Sequence, residues 1–253
     1  MEKIITKGQI VFGVVVAALG VVNLFCARFG LALQGVPWVP VRPFFVCLSG
    51  VALITAGISI AANLHSRLLA TLLGYLFLGC VLFRALPQVF AQPAEWSVYG
   101  VLSEALALGA LAWTLVQSLP PASSPWESVL GKVTVLGPYL FAVSLIVFSS
   151  IHFLVAHFIA SLIPAWIPGR LFWTYLTGMA LIASGISIAI RRLDEWAGFL
   201  LGVMFLLWVV LLHAPRVAAD RHNPDECSSA LIALGMCGGS WIVANHARHR
   251  RAK

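Results

Sequence analysis

The residues best suited to chemistry in this sequence are polar groups set within or beside long apolar stretches. His152 and His157 belong to one such stretch, His213 follows another, and Asp225 and Glu226 precede a third. An ionisable side chain inside a membrane is costly unless a partner or a cavity compensates, so each residue is a functional hypothesis. Histidine titrates near neutral pH, and this set could therefore relay protons or hydrogen-bond a ligand. The alternative is structural, with the histidines bonded to backbone groups or lipid headgroups.

Metal binding is the less favoured use of these histidines. His152 and His157 are five residues apart, which places them roughly 140° apart around a helix, so they do not converge on one ion. His157 and His213 are predicted in the same half of the membrane, near Asp225 and Glu226. The sequence contains no complete metal motif, phosphate-binding loop or catalytic triad, and we predict no metal site. Whether the protein is an enzyme stays open.

A second candidate is an intramembrane ion pair between Arg84 and Glu104. Each residue lies in an apolar stretch, and pairing would lower the cost of burying either charge alone. Alternatively, Arg84 extends to the membrane interface without a partner.

The composition indicates an integral membrane protein. Hydrophobic residues make up 60% of the chain and charged residues 10%, and the mean hydropathy is +0.96. Apolar stretches of about 20 residues, the length of a membrane-spanning helix, recur along the chain. They cover roughly residues 10–27, 43–64, 68–89, 98–116, 133–162, 171–190, 196–212 and 227–244. We therefore predict an all-α polytopic protein with about eight transmembrane helices.

An internal repeat organises these helices. From residue 23 to residue 87, adding 128 to a residue number often gives the same residue, as in Gly57-Ile58-Ser59-Ile60 and Gly185-Ile186-Ser187-Ile188. The sequence therefore predicts two parallel four-helix repeats, at residues 1–118 and 133–253, joined by a linker at 119–132. The interface between the copies is a candidate substrate pathway or cofactor pocket. The histidines occur in the second copy alone, and the predicted counterparts of Arg84 and Glu104 are Leu212 and, with a two-residue shift, Ala230.

The distribution of charge predicts the orientation. Basic residues are more numerous on the side that would hold both termini and the basic tail of the chain, which favours cytoplasmic termini. The net charge of +7 therefore reflects topology and contact with the lipid bilayer, and nucleic-acid binding is not expected. We predict a multi-pass protein of a bacterial-type inner membrane.

Two similar loops, each rich in proline and tryptophan, are predicted at the extracytoplasmic face. They contain Trp38 with Arg42 and Trp166 with Arg170. Tryptophan anchors at the bilayer interface, so an architectural role is favoured over a lid that meets an anionic group. A disulfide between Cys26 and Cys47 stays open, because both are predicted at extracytoplasmic helix ends.

Several segments of the second copy resemble DoxX-like membrane proteins. They are residues 151–153 (Ile-His-Phe), 163–168 (Ile-Pro-Ala-Trp-Ile-Pro), 172–178 (Phe-Trp-Thr-Tyr-Leu-Thr-Gly) and 211–216 (Leu-Leu-His-Ala-Pro-Arg). The resemblance spans most of residues 145–245 and extends more weakly to the first copy. It implies a four-helix unit and, by analogy with membrane subunits of thiosulfate:quinone oxidoreductase, a quinone and a redox partner protein.

Three functions follow from these features. The first is an accessory or quinone-linked subunit of a membrane redox process, with His157 and His213 as hydrogen-bonding or proton-carrying groups. The second is a structural or anchoring membrane protein without chemistry. The third is a small-molecule transporter, which the parallel repeat favours and the small number of intramembrane charges disfavours.

Overall fold

The structure is a computed structural model that describes residues 1–26, 42–122 and 124–252, with backbone alone at residues 5, 26, 42 and 43. Eight helices in this part of the chain are long and apolar enough to cross a membrane. The main helices of these spans are α1 (Gly8–Cys26), α2 (Arg42–Ala61), α3 (Ser66–Cys80), α4 (Trp96–Val116), α5 (Gly137–Leu154), α6 (Arg170–Ala189), α7 (Asp194–Trp208) and α8 (Pro224–Arg251). The spans of α3 and α7 continue to Ala91 and Ala219. The described residues form no strand, and the predicted all-α polytopic fold is confirmed.

Shorter helical segments connect or extend these eight helices. They are the α-helices Glu2–Ile5, Leu86–Ala91, Pro125–Gly131, Ala156–Leu162 and Ala214–Ala219, the 3-10 helix Lys132–Leu136, and the π-helical turns Val81–Ala85 and Val209–His213.

Side-chain hydrogen bonds from Arg67 of α3 hold the start of the linker between the two copies. The Arg67 guanidinium donates to the carbonyl of Val116 at 3.1 Å and of Pro120 at 2.8 Å. These bonds satisfy carbonyl groups at and just beyond the C-terminus of α4, which the helix itself leaves unpaired.

The second copy repeats the local geometry of the first from α2 onwards. Helices α2 and α6, α3 and α7, and the two π-helical turns begin and end at residues that differ by 128. The tight turns repeat as well, because Asn63 and Arg191 have φ of +57° and +56°, and His65 and Leu193 have +48° and +56°. These are left-handed conformations that residues other than glycine rarely adopt. Both copies therefore have the same unusual backbone conformation in this turn.

The fourth helix of each copy follows the same offset. A Cβ atom built on Gly74 would lie 2.1 Å from the Trp113 indole, and one on Gly202 would lie 2.2 Å from the Trp241 indole. Both pairs are 128 residues apart, so the counterpart of Glu104 is Ile232. The two-residue shift that pairs Glu104 with Ala230 is therefore wrong.

The first helix of each copy follows an offset of 129. Gly50 of α2 lies against Leu24 of α1, and Gly178 of α6 lies against Phe153 of α5. Residues 24 and 153 therefore occupy equivalent places, and His152 corresponds to Asn23. The repeat has a one-residue gap between its first and second helices. This gap was invisible in sequence because the aligned apolar residues there differ in type.

The helices of both copies pack together in one bundle. Each helix packs against its neighbours in the chain, α8 packs back against α1, and α4 contacts α8 across the centre. The central pair α4 and α8 is the most buried of the eight spans. Glu2 and Arg248 form a 2.9 Å salt bridge, so both termini lie at one end of the bundle. We call this the terminal end and the opposite one the distal end.

Candidate functional site

Both copies carry a π-helical turn near the distal end, at Val81–Ala85 and Val209–His213. Pro87 and Pro215 lie two residues after the ends of these turns. A proline within a helix has no N–H to donate and clashes with the carbonyl four residues earlier, so the chain widens there. Such π-helical turns occur frequently at functional sites. Arg84 lies in the first turn and His213 ends the second.

The second turn brings together His213, Arg216 and Glu226. The Arg216 guanidinium donates to Glu226 Oε1 at 2.5 Å, and both charges act electrostatically on His213. His213 Nδ1 and Glu226 Oε2 are buried, and neither finds a hydrogen-bond partner among the described residues. A buried polar atom without a partner is costly, so its presence calls for an explanation such as a bound ligand or water. This cluster, His213 with Arg216 and Glu226, is called the His213 site.

The start of α8 positions Glu226. The Asn223 side chain accepts hydrogen bonds from the backbone N–H groups of Asp225 at 3.0 Å and Glu226 at 3.4 Å. This cap fixes the first turn of α8. Glu226 is half-buried and faces Arg216, which lies on the short helix Ala214–Ala219, whereas Asp225 is exposed. Of the two predicted carboxylates, Glu226 therefore belongs to the site.

His152 is a core histidine with satisfied contacts. It is 3% exposed, its Nδ1 lies 3.1 Å from the Phe148 carbonyl, and its ring stacks on Trp208 at 5.8 Å between centroids. The equivalent Asn23 is also buried and donates to Ser49 Oγ at 2.9 Å. Because both copies bury a hydrogen-bonded polar residue here, the structural alternative is favoured for His152.

His157 lies apart from the His213 site. It is exposed on the short helix Ala156–Leu162. No hydrogen bond between described residues joins it to His213, so the structure does not support a relay that uses both. Groups of three or more His, Cys, Asp or Glu residues able to hold a metal ion were also not found in the described ranges.

Arg84 and Glu104 do not form a salt bridge. Both residues are described, and the ion pairs within the described part of the chain lie elsewhere. Arg84 is 8% exposed, and Glu104 is partly exposed on α4. Each residue must therefore be explained separately, and the predicted pairing is not supported.

The predicted loop residues are exposed where the structure describes them. Trp166 is 71% exposed, as suits a membrane anchor, and Arg170 begins α6 as an exposed residue. Trp38 and the side chains of Arg42 and Cys26 lie outside the described residues. Cys47 is a free cysteine, so the Cys26–Cys47 disulfide is absent.

Sequence reasoning missed two clusters of charged residues. Arg216 follows His213 by three residues on a helix, a spacing that brings side chains together, and this signal could have identified it. A second cluster lies at the terminal end, where buried Asp194 accepts from Arg250 at 2.6 Å and Arg251 at 2.8 Å. Its partners are 56 and 57 residues away in sequence, so no local pattern predicts it.

Comparison with protein families gives a match over part of the chain. The family model of a domain of unknown function, DUF8561, matches residues 141–234. This range runs from α5 into α8 and includes the whole His213 site. No curated protein and no solved structure matches the chain.

Proposed function

We propose that this protein is a DoxX-like accessory subunit of a membrane redox process and that its His213 site binds the ring of a quinone. The observation that carries the proposal is the pair of buried atoms without a described partner, His213 Nδ1 and Glu226 Oε2. They lie at the distal end of a membrane-spanning helix, where a lipid-soluble ligand can arrive. The resemblance to DoxX-like proteins supports the choice of a quinone over other lipid-soluble ligands.

The residues of the site fit such a ring. Its two carbonyl oxygens accept hydrogen bonds, which a histidine N–H or an arginine N–H can donate. A bound quinone would accept two electrons and two protons. His213 would orient the ring through Nδ1, and Glu226 would hold a proton at Oε2. Arg216 would keep Glu226 in place through its bond to the other carboxylate oxygen.

The orientation follows from the same proposal. Both termini would face the cytoplasm of a bacterial-type inner membrane, because basic residues are concentrated at the terminal end. The His213 site would then lie in the extracytoplasmic half. The proposal therefore requires a redox partner protein that delivers electrons to the extracytoplasmic half of the membrane.

Two other functions compete with this proposal. The centre of the bundle is filled, because Leu111 Cδ1 lies 2.2 Å from a Cβ built on Gly239 of α8. A transport pathway along the axis between the copies is therefore disfavoured. A structural protein without chemistry is favoured by the satisfied contacts of His152, and the experiment below separates it from the redox proposal.

The test is a titration of decylubiquinone into the purified protein in lipid nanodiscs, followed by tryptophan fluorescence. We expect His213→Ala to raise the Kd about tenfold, which equals about 1.4 kcal/mol and suits the loss of one hydrogen bond. His222→Ala is the matched control, because His222 is exposed in the loop that follows Ala214–Ala219.

Purification from native membranes provides a second measurement. Mass spectrometry should recover a quinone and an associated redox subunit. Equal affinities for the wild type and His213→Ala, together with repeated failure to recover either quinone or subunit, would leave the structural function as the better account.

A further inference from the structure

Glu104 lies on the face of α4 that meets the other copy. Leu108 and Leu111 follow it by four and seven residues, so all three share one helix face. A Cβ built on Gly235 of α8 would lie 3.3 Å from Leu108 Cδ2, and Leu111 likewise meets Gly239. Glu104 therefore continues the contact line between α4 and α8 towards the distal end.

The contact between the copies is partly exposed at the level of Glu104, whereas it is buried at Leu108 and Leu111. Its neighbours Ser103 and Ala105 are each 1% exposed, whereas Glu104 stays partly exposed. One turn nearer the distal end on the same face, a Cβ built on Gly100 would come no closer to any described atom than 3.8 Å, at Ile151 Cδ1. A methyl group added at Gly100 would therefore be in ordinary contact with Ile151, and Gly100 is partly exposed, as Glu104 is. We call this partly exposed part of the contact, bordered by Gly100, Glu104 and Ile151, the Glu104 crevice.

The other copy does not repeat this crevice. The counterparts of Gly100 and Glu104 are Ser228 and Ile232, which are 7% and 5% exposed. An apolar, buried residue stands where the first copy has a carboxyl group. Packing of the fold therefore does not require an acid at this position.

No described side chain pairs with Glu104. The elements in question are α3 with its π-helical turn, α5, α8 and the 3-10 helix that contacts α4. Their charged and titratable residues are Arg67, Tyr75, Cys80, Arg84, Lys132, Tyr139, His152, Asp225, Glu226, Cys227, Cys237, His246, Arg248, His249, Arg250 and Arg251. Within the described ranges, none of them forms a hydrogen bond or an ion pair with Glu104. Glu226 bonds Arg216 instead, and His152 bonds its own helix.

We propose that the Glu104 carboxyl is a proton-binding site that exchanges its proton with the distal side of the membrane through the Glu104 crevice. An ionised carboxylate without a partner is expensive inside a membrane, and binding a proton removes that cost. The crevice supplies the route for exchange, since Gly100, one turn towards the distal end, is partly exposed as well. This site is separate from the His213 site and does not depend on the quinone proposal.

Labelling with dicyclohexylcarbodiimide tests the proposal on the full-length protein in nanodiscs. This reagent adds to protonated carboxyl groups in apolar surroundings and leaves a stable N-acylurea that peptide mass spectrometry locates. We expect Glu104 to be labelled, faster as the pH is lowered, and Glu104→Gln to lose the label. Asp194, whose carboxylate accepts from Arg250 and Arg251, is the internal control and should stay unlabelled.

Filling the crevice tests the route. Gly100→Leu places a side chain beside Glu104 and should slow labelling about tenfold, which corresponds to about 1.4 kcal/mol in the barrier. Ile151→Trp fills the same space from α5 and serves if the first variant does not fold. Gly79→Leu is the matched control, because a Cβ at Gly79 meets no described atom within 4 Å.

Three results would overturn the proposal. Wild-type Glu104 that stays unlabelled at every pH would show that it carries no exchangeable proton. Labelling that is independent of pH and suppressed by added sodium ions would assign a metal cation in place of the proton. Unchanged labelling in both filled variants would exclude the crevice as the route.

Discussion

The distal ends of the two copies have the same backbone and different side chains. Both copies widen into a π-helical turn at the same place, yet Arg84 and Ala85 of the first copy correspond to Leu212 and His213 of the second. Cys80, one turn earlier, corresponds to Trp208, which packs on His152. The duplication has therefore kept the turn and changed the groups that it presents.

The difference separates scaffold from chemistry. Features that both copies share, such as the turns with positive φ and the glycines beneath Trp113 and Trp241, are needed to build the bundle. Features found in one copy, such as the His213 site and Glu104, are not needed for that purpose. The two proposed sites accordingly lie on opposite copies.

The largest effect should come from a pair of residues that differ between the copies at the terminal end. Asp194 accepts from two arginines, and its counterpart Ser66 donates to the Ser59 carbonyl at 3.1 Å. Asp194→Ala should lower the free energy of unfolding by about 2 to 3 kcal/mol, because hydrogen bonds to charged groups are the strong ones. Ser66→Ala should lose about 1 kcal/mol.

Unfolding of both variants by denaturant in the same detergent measures this difference. Arg250 is 28% and Arg251 43% exposed, so water can solvate them after the substitution, and we do not expect the full cost of an isolated buried charge. Equal losses of unfolding free energy for the two variants would contradict the inference that Asp194 holds the C-terminal end of α8.

A smaller effect should come from glycines that the copies share but pack differently. A Cβ on Gly57 would lie 2.3 Å from the Ala17 backbone nitrogen, whereas one on Gly185 would lie 3.0 Å from the Ala142 carbonyl oxygen. Gly57→Ala should cost about 2 kcal/mol by overpacking α1 against α2. Gly185→Ala should stay within about 1 kcal/mol of the wild type, since the better helix propensity of alanine offsets a small shift.

The unfolding midpoints of these two alanine variants can be compared directly. A larger loss for Gly185→Ala than for Gly57→Ala would mean that α5 and α6 approach more closely than α1 and α2. It would also contradict the offset of 129, under which residue 17 of α1 is equivalent to residue 146 of α5.

Helix number and repeat were predictable because both depend on local signals. Apolar length predicted the eight spans, and identical residues at one spacing predicted the duplication. The gap between the first two helices was not predictable, since α1 and α5 share few residue types, and their register is set by contacts with α2 and α6. Packing of Gly50 on Leu24 and Gly178 on Phe153 revealed it.

The sites were predictable in part. His213 and Glu226 could be chosen because they are ionisable residues near apolar stretches, and this criterion needs no contact information. The same criterion also selected His152 and His157, which the structure places in the core and on an exposed helix. Only the fold distinguishes a histidine whose hydrogen bonds are satisfied from one with a buried nitrogen that lacks a described partner.

The smallest effect should come from the two tryptophans that lie on equivalent glycines. Trp113 Nε1 donates to the Thr71 carbonyl at 3.1 Å, whereas Trp241 Nε1 is buried and has no partner among the described residues. Replacing either by phenylalanine removes a similar volume from a similar contact, so the packing costs should nearly cancel in the comparison. Trp113→Phe should then be less stable than Trp241→Phe by about 1 kcal/mol, the value of one hydrogen bond.

The unfolding midpoints of the two phenylalanine variants measure this difference, and its sign is the informative result. Removing an unpaired buried N–H relieves a desolvation cost, so Trp241→Phe should be close to neutral once the lost packing is counted. A loss at Trp241 equal to that at Trp113 would indicate that its indole nitrogen binds something, such as a water molecule. The two copies would then be more alike at this position than their contacts indicate.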